Sequence, residues 1–181
     1  MHDSETIEIP ISKIRLVLML LGCLGFVAAG VFFVTSPYKV VSPIARSVTM
    51  IFIAGCLSIL FFGFVGIAIV KRLFDKAPGI IISEAGITDN SGGIPAGFVP
   101  WSDIIAVKKL EVGHQRFVNL VVKNRKEYIR RQKNVVKRKF MQKNFTVYGG
   151  IGISPNSLDI NYPELEDIIQ KRFSDFKAKQ K

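Results

Sequence analysis

Residues 16–34 contain nothing but apolar side chains and glycine, and residues 47–70 form a second run without a single charge. At about 1.5 Å per helical residue the first run measures about 28 Å, close to the thickness of a bilayer core. Hydrocarbon offers no partner for backbone N–H and C=O groups, so both runs are predicted to be helices. Thr49 and Ser58 are the polar interruptions inside the second run, and hydroxyls of this kind can bond back to their own helix. A cleaved signal peptide fits the first run poorly. Ala28-Ala29-Gly30 leads into Val31-Phe32-Phe33 and not into polar chain, and the run exceeds a usual signal core.

Residues 35–46 link the runs, with Pro37 and Pro43 favouring a turn, so the helices are expected to be antiparallel neighbours. Lys13, Arg15, Lys71, Arg72 and Lys76 flank the outer ends, against Lys39 and Arg46 in the link. Cations concentrate on the cytoplasmic side, so both termini are predicted to be cytoplasmic, in a multi-pass protein of the cell (inner) membrane. Gly22, Gly25 and Ala29 on the first helix, and Gly55, Ser58 and Gly66 on the second, read as a close-packing seam. No ionisable group lies within either run, which disfavours a transport path, and Cys23 and Cys56 read as small apolar residues there.

The predicted order is therefore an N-terminal cytoplasmic segment (1–13), a transmembrane hairpin (14–72, spans about 14–34 and 47–70) and a cytoplasmic domain (77–181). In that domain Gly79-Ile80-Ile81-Ile82-Ser83, Glu84-Ala85-Gly86 and Ile87-Thr88-Asp89 read as strand, turn and return strand. Phe98-Val99, residues 104–110 and residues 117–123 continue as strands, the last two linked by Gly113-His114-Gln115. Consecutive hairpins imply an antiparallel sheet. The closing helix has Asn161 or Tyr162 as N-cap, Pro163 at the first helical position, and Glu164, Glu166 and Asp167 at the positive end of the helix dipole. Leu165, Ile168, Ile169, Phe173 and Phe176 form its apolar face, which must cover the sheet.

Between residues 123 and 143 ten cations stand against the single acid Glu127: Lys123, Arg125, Lys126, Arg130, Arg131, Lys133, Lys137, Arg138, Lys139 and Lys143. The local net charge is +9, most of the formal +11 of the whole chain. Neither Gly nor Pro interrupts residues 123–148, and Ile129, Val136 and Phe140 fall on one stripe, so a basic amphipathic helical insertion is expected over about 124–146.

The strand run Gly79-Ile80-Ile81-Ile82-Ser83-Glu84-Ala85-Gly86-Ile87, the segment Phe98-Val99-Pro100-Trp101-Ser102-Asp103-Ile104 and the terminal helix resemble the bacterial pleckstrin-homology-like membrane proteins. The resemblance covers most of residues 77–176 and rests on short structural motifs. It implies an α+β fold, an antiparallel pleckstrin-like sheet or barrel capped by a C-terminal helix and led in by membrane helices. Pro100, Trp101, Ser102 and Asp103 are its structural motif, with Trp101 expected in the core. This chain adds the long basic insertion to the minimal pattern.

The function expected is a membrane-anchored binding module whose insertion cations dock on anionic phospholipid head groups. A membrane-tethered platform for a protein partner, or an assembly factor for another membrane complex, is the alternative. Nucleic acid is disfavoured: Tyr128, Phe140 and Phe145 offer stacking beside the cations, but the anchor already explains the basic bias and no groove-reading module accompanies the patch. No catalysis, cofactor or metal is implied. Outside the two apolar runs there is no Cys, and His2 and His114 are isolated in sequence. Asp103 and Glu111 specify no carboxylate pair, and Gly149-Gly150-Ile151-Gly152 lacks the Lys-Ser/Thr of a phosphate loop, so it reads as the bend into a strand.

Overall fold

The structure is a computed structural model that describes residues 6–40 and 47–180; Pro43, Arg46 and His2 lie outside them. The chain is a mixed α+β protein in two compact units, one of residues 13–76 and one that joins residues 6–12 to residues 77–180.

The first unit is a pair of long apolar helices, α1 (Lys13–Thr35) and α2 (Val48–Phe74). A one-turn 3-10 helix, Pro37–Val40, follows α1, and Ser47 caps α2 by accepting from the Met50 amide at 3.4 Å. Both helices are long and apolar enough to cross a membrane, and only 11% of α1 and 17% of α2 is buried over their most apolar stretches. That outward-facing Leu, Ile and Phe surface is unlike the core helix of a soluble domain, which would be covered by protein. The antiparallel pair closes on Gly30 and Gly55. A Cβ on Gly30 would lie 2.9 Å from the Gly55 carbonyl oxygen, and one on Gly55 would lie 2.8 Å from that of Gly30. Phe26 stacks on Phe62 with ring centroids 4.2 Å apart.

The seam is the expected one at Gly55 and Ser58 and differs elsewhere. A Cβ on Gly22 or Gly25 would meet nothing within 4 Å among the described residues, one on Gly66 would make only ordinary contacts with Cys23 and Leu20, and Ala29 is exposed. Spacing within one helix marks a small-residue face, but the register of the partner decides which glycine is crossed. Ser58 likewise donates across the pair to the Phe26 carbonyl at 2.9 Å, and not to its own helix.

Among the described residues the second unit contains seven strands and three α-helices in chain order: β1 (Ile7–Ile9), β2 (Ile80–Ile82), β3 (Gly86–Asp89), β4 (Gly97–Pro100), β5 (Ile104–Val112), β6 (Gln115–Val122), α3 (Arg125–Arg131), α4 (Val135–Tyr148), β7 (Ile151–Ile153) and α5 (Tyr162–Lys179). They form two antiparallel sheets, ordered β1-β2-β3-β4 and β5-β6-β7. Among the described residues no ladder joins the sheets, so they stay open and do not close into a barrel. The expected hairpins, the turn at Gly113 and the strand after Gly149-Gly150 are all present.

β1 is the element not foreseen. The segment before the first apolar run is an edge strand, with Ile7 opposite Ile82 and Ile9 opposite Ile80. Ile11 bridges Leu158, and the Asp159 amide donates to Pro10 O at 2.9 Å.

The core lies between the sheets and α5. Ile9, Ile80, Ile82, Ile87, Val99, Val118, Leu120 and Ile153 meet Leu165, Ile169 and Phe173 of the closing helix. Asn161, and not Tyr162, caps α5, its Oδ1 accepting from the Glu164 amide at 3.0 Å, so that Pro163 is the second helical residue and not the first. Ile168 and Phe176 are half-buried at the edge of the same face. Trp101 is 1% exposed at the corner where β4 passes to β5, its Nε1 donating to Ser83 O at 2.9 Å and its ring tilted against Phe173. The indole is a core residue, as its buried area favours.

Candidate functional site

The basic insertion is two helices. After α3 the Gln132 side chain turns inward, buried, and its Nε2 donates to Pro95 O at 2.8 Å. Asn134 then starts α4, its Oδ1 accepting from the amides of Val136 (2.8 Å) and Lys137 (3.2 Å). A side chain that caps a new helix competes with continuation of the old one. The break moves Ile129 out of phase with Val136 and Phe140. Ile129 is half-buried, while Val136 and Phe140 are 60% and 53% exposed, so the expected single stripe does not form. Tyr128, Met141 and Phe145 are the residues that bury instead. Tyr128 and Phe145 therefore have no face free for stacking on a base.

Both ends of the insertion are braced against the sheets. The Tyr128 hydroxyl donates to Asp103 Oδ2 at 2.7 Å, and Asn124 Nδ2 donates to Asp103 Oδ1 at 3.0 Å. Burial pushes the Tyr128 phenol well above its ordinary pKa, and the hydrogen bond to Asp103 and its negative charge push the same way. Tyr128 thus remains a donor. At the far end Asn119, buried on β6, donates through Nδ2 to Tyr148 O at 2.8 Å, and Gly149 closes α4 at a φ of 73°. Asp103, expected as part of the structural motif, is also the acceptor that ties the Pro-Trp-Ser-Asp corner to the insertion.

The ten cations divide by what they touch. Lys123 Nζ donates to Ser102 O at 2.7 Å, and Arg138 Nε donates to Gln132 O at 3.3 Å. Arg131 is the most committed: it donates to Phe98 O at 2.7 Å, pairs with Glu127 and lies 4.6 Å over the Tyr128 ring. These three hold the insertion together. Arg125, Lys126, Arg130, Lys133, Lys137, Lys139 and Lys143 are exposed, and their side chains have no hydrogen-bond or ion-pair partner among the described residues. Arg125, Lys126 and Arg130 rim an open depression of about 450 Å³ completed by Lys123, Asn124 and Glu127. Lys137, Lys139 and Lys143 stand on α4.

The five flanking cations sit at the outer helix ends. Lys13 and Arg15 are in the first turn of α1, Lys71 and Arg72 in the last turn of α2, and Lys76 just beyond it; Arg72 pairs with Asp75 at 2.7 Å. A second cleft, of about 200 Å³, is lined by Leu110, Val112, Phe117, Asn144, Tyr148 and Gly152. Among the described residues no three His, Cys, Asp or Glu side chains group as metal ligands.

Sequence reasoning missed the Asp103–Tyr128 brace and the Gln132 tether because their partners are distant along the chain and carry no motif. Asn134 was legible in principle, since Asn ahead of a Val-Val-Lys-Arg run is a helix-start signal. No family model, curated protein or solved structure matches the chain.

Proposed function

We propose that this protein is an integral membrane binding module of the bacterial pleckstrin-homology-like type. Its folded unit docks on anionic phospholipid head groups at the cytoplasmic leaflet of the cell (inner) membrane, without catalysis. The observation that carries the reading is the set of seven exposed cations on one braced insertion, unpaired among the described residues, in a chain with two helices able to span a bilayer. Each cation near an anionic surface contributes about 1 kcal/mol, an attraction lost beyond about 10 Å at ordinary salt. A tethered unit meets that surface at high effective concentration, so weak contacts suffice.

Strand pairing supports two passes. β1 precedes the helix pair and β2 follows it, yet the two are hydrogen-bonded neighbours. A sheet does not assemble through hydrocarbon, so both flanks lie on one side of the bilayer. The excess of Lys and Arg on those flanks favours the cytoplasmic side. Two antiparallel sheets with a terminal helix over them support the pleckstrin-like reading in its open form.

The test is trypsin cleavage of the full chain in nanodiscs of phosphatidylcholine, alone or mixed with phosphatidylglycerol. Cleavage at the insertion cations should slow in the mixed discs, and added salt should restore it. Equal cleavage in both lipids would sink the proposal. A second reading, a platform for a protein partner, is favoured by β5: among the described residues this nine-residue strand has β6 on one side only, and it carries Ile105 half-exposed. An extended segment adding to that edge would bind equally in both lipids.

A further inference from the structure

We infer that α4 enters the bilayer as an interfacial helix, its outer stripe of Val136, Phe140 and Val147 seated below the head groups while Lys139 and Lys143 reach the phosphates. The inference rests on the lipid-docking reading and adds an apolar component to it.

A helix on a folded domain buries one face and turns a polar face to water. α5 obeys this: none of its large apolar side chains is exposed, and its outer surface mixes Glu, Asp, Lys and Arg. α4 does the reverse. It buries Met141 and Phe145 but exposes Val135, Val136, Phe140 and Val147, each by more than half. A lone exposed hydrophobe needs no explanation, but these are not scattered. Val136, Phe140 and Val147, with Lys143 between the last two, follow each other at intervals of four, three and four residues, which is a single helical face. That face is opposite the one that carries Met141 and Phe145.

The charge on α4 selects the occupant. Its charged residues are Lys137, Arg138, Lys139 and Lys143, with no acid anywhere in the helix. An apolar stripe that contains Lys143, is flanked by Lys139 and has no acid near it is complementary to a surface that is anionic outside and hydrocarbon just beneath, which is the head-group boundary of an acidic leaflet. Lysines beside such a stripe lay their methylenes along it and keep the ammonium at phosphate level. Because the chain carries its own bilayer-spanning helices, this surface is always at hand.

The test replaces Phe140→Trp in the full chain, reconstituted in phosphatidylcholine vesicles with or without phosphatidylglycerol. Trp101, the only native tryptophan, is buried and supplies a constant background. Lipids brominated on the acyl chain should quench the new indole, with a blue shift, in acidic vesicles and not in neutral ones. In the nanodiscs used above, the double variant Val136→Ser, Phe140→Ser should raise the trypsin cleavage rate of the insertion about tenfold, since cleavage follows the undocked population. Intact trypsin protection with an indole still open to aqueous iodide would overturn the inserted stripe while leaving head-group docking in place. Loss of both signals would remove both. An indole shielded from iodide equally in neutral and acidic vesicles, without quenching from the chains, would mean that protein covers the stripe, and would also overturn the inference.

Discussion

Replacing Tyr128→Phe isolates one atom. The ring is fully buried, so its removal from water is unchanged and no cavity opens; what disappears is the 2.7 Å hydrogen bond to Asp103. A bond from a neutral donor to a carboxylate contributes about 2 kcal/mol, while Asn124 still holds the other oxygen of Asp103. Trp101 reports on the sheet-bearing unit alone, because α1 and α2 contain no tryptophan. In detergent, with a urea dependence of about 2 kcal/mol per molar, the fluorescence midpoint should therefore fall by about 1 M. Asp103→Asn should cost less when combined with Tyr128→Phe than in the native chain, because the two groups share one bond. A midpoint within experimental scatter of the native value, or strictly additive effects, would refute the brace between the Trp101 corner and the insertion.

Alkaline titration probes the same pair. The folded state holds the Tyr128 proton more tightly than the unfolded chain, so its contribution is complete below the ordinary tyrosine pKa of about 10 and declines as pH rises above it; the native protein should lose urea resistance there more steeply than Tyr128→Phe. Asp89→Ala should lower the same midpoint by an amount corresponding to about 2 kcal/mol, because this buried carboxylate accepts from the Ser91 amide, the Ser91 hydroxyl and the Ala96 amide, and those donors would be left unpaired. Gly55→Leu should separate α1 from α2, read as loss of Phe26–Phe62 proximity in disulfide trapping of cysteines placed at those positions, whereas Gly25→Leu, facing open space, should leave trapping intact.

What could be read from sequence was whatever is local. Apolar length marked α1 and α2, Asn161 and Pro163 marked the start of α5, and Ile80–Ile82 with the glycine after it marked a hairpin. The failures share a cause. Gly30 outranks Gly25, Ile9 pairs with Ile80 across the whole helix pair, and Tyr128 finds Asp103 on a separate element, and each depends on a partner that sequence spacing does not specify. The basic insertion was legible as charge but not as geometry, since charge density alone does not separate the structural Arg131 from the unpaired Arg130 beside it. Nor did the apolar positions of α4 declare which way they faced; one polar cap at Asn134 reset the phase.

The apolar helices and the sheet are linked along the chain more closely than an anchor and its cargo need be. Phe26 lies opposite Phe62, and Gly66 opposite Cys23; continued in the same register, the start of α1 comes level with the end of α2. The chain then needs only residues 10–12 and 75–79 to pass from those ends into β1 and β2, which pair. Closing a loop of that length from a flexible chain is costly in entropy, but a packed helix pair brings its two ends together beforehand. Ile9, 4% exposed, is thus a core residue supplied from before the first helix, on the strand that forms one edge of the first sheet. Gly55→Leu, which drives α1 from α2, should therefore also lower the urea midpoint read by Trp101, and a midpoint equal to that of the native chain would show that β1 keeps its place beside β2 without help from the helix pair.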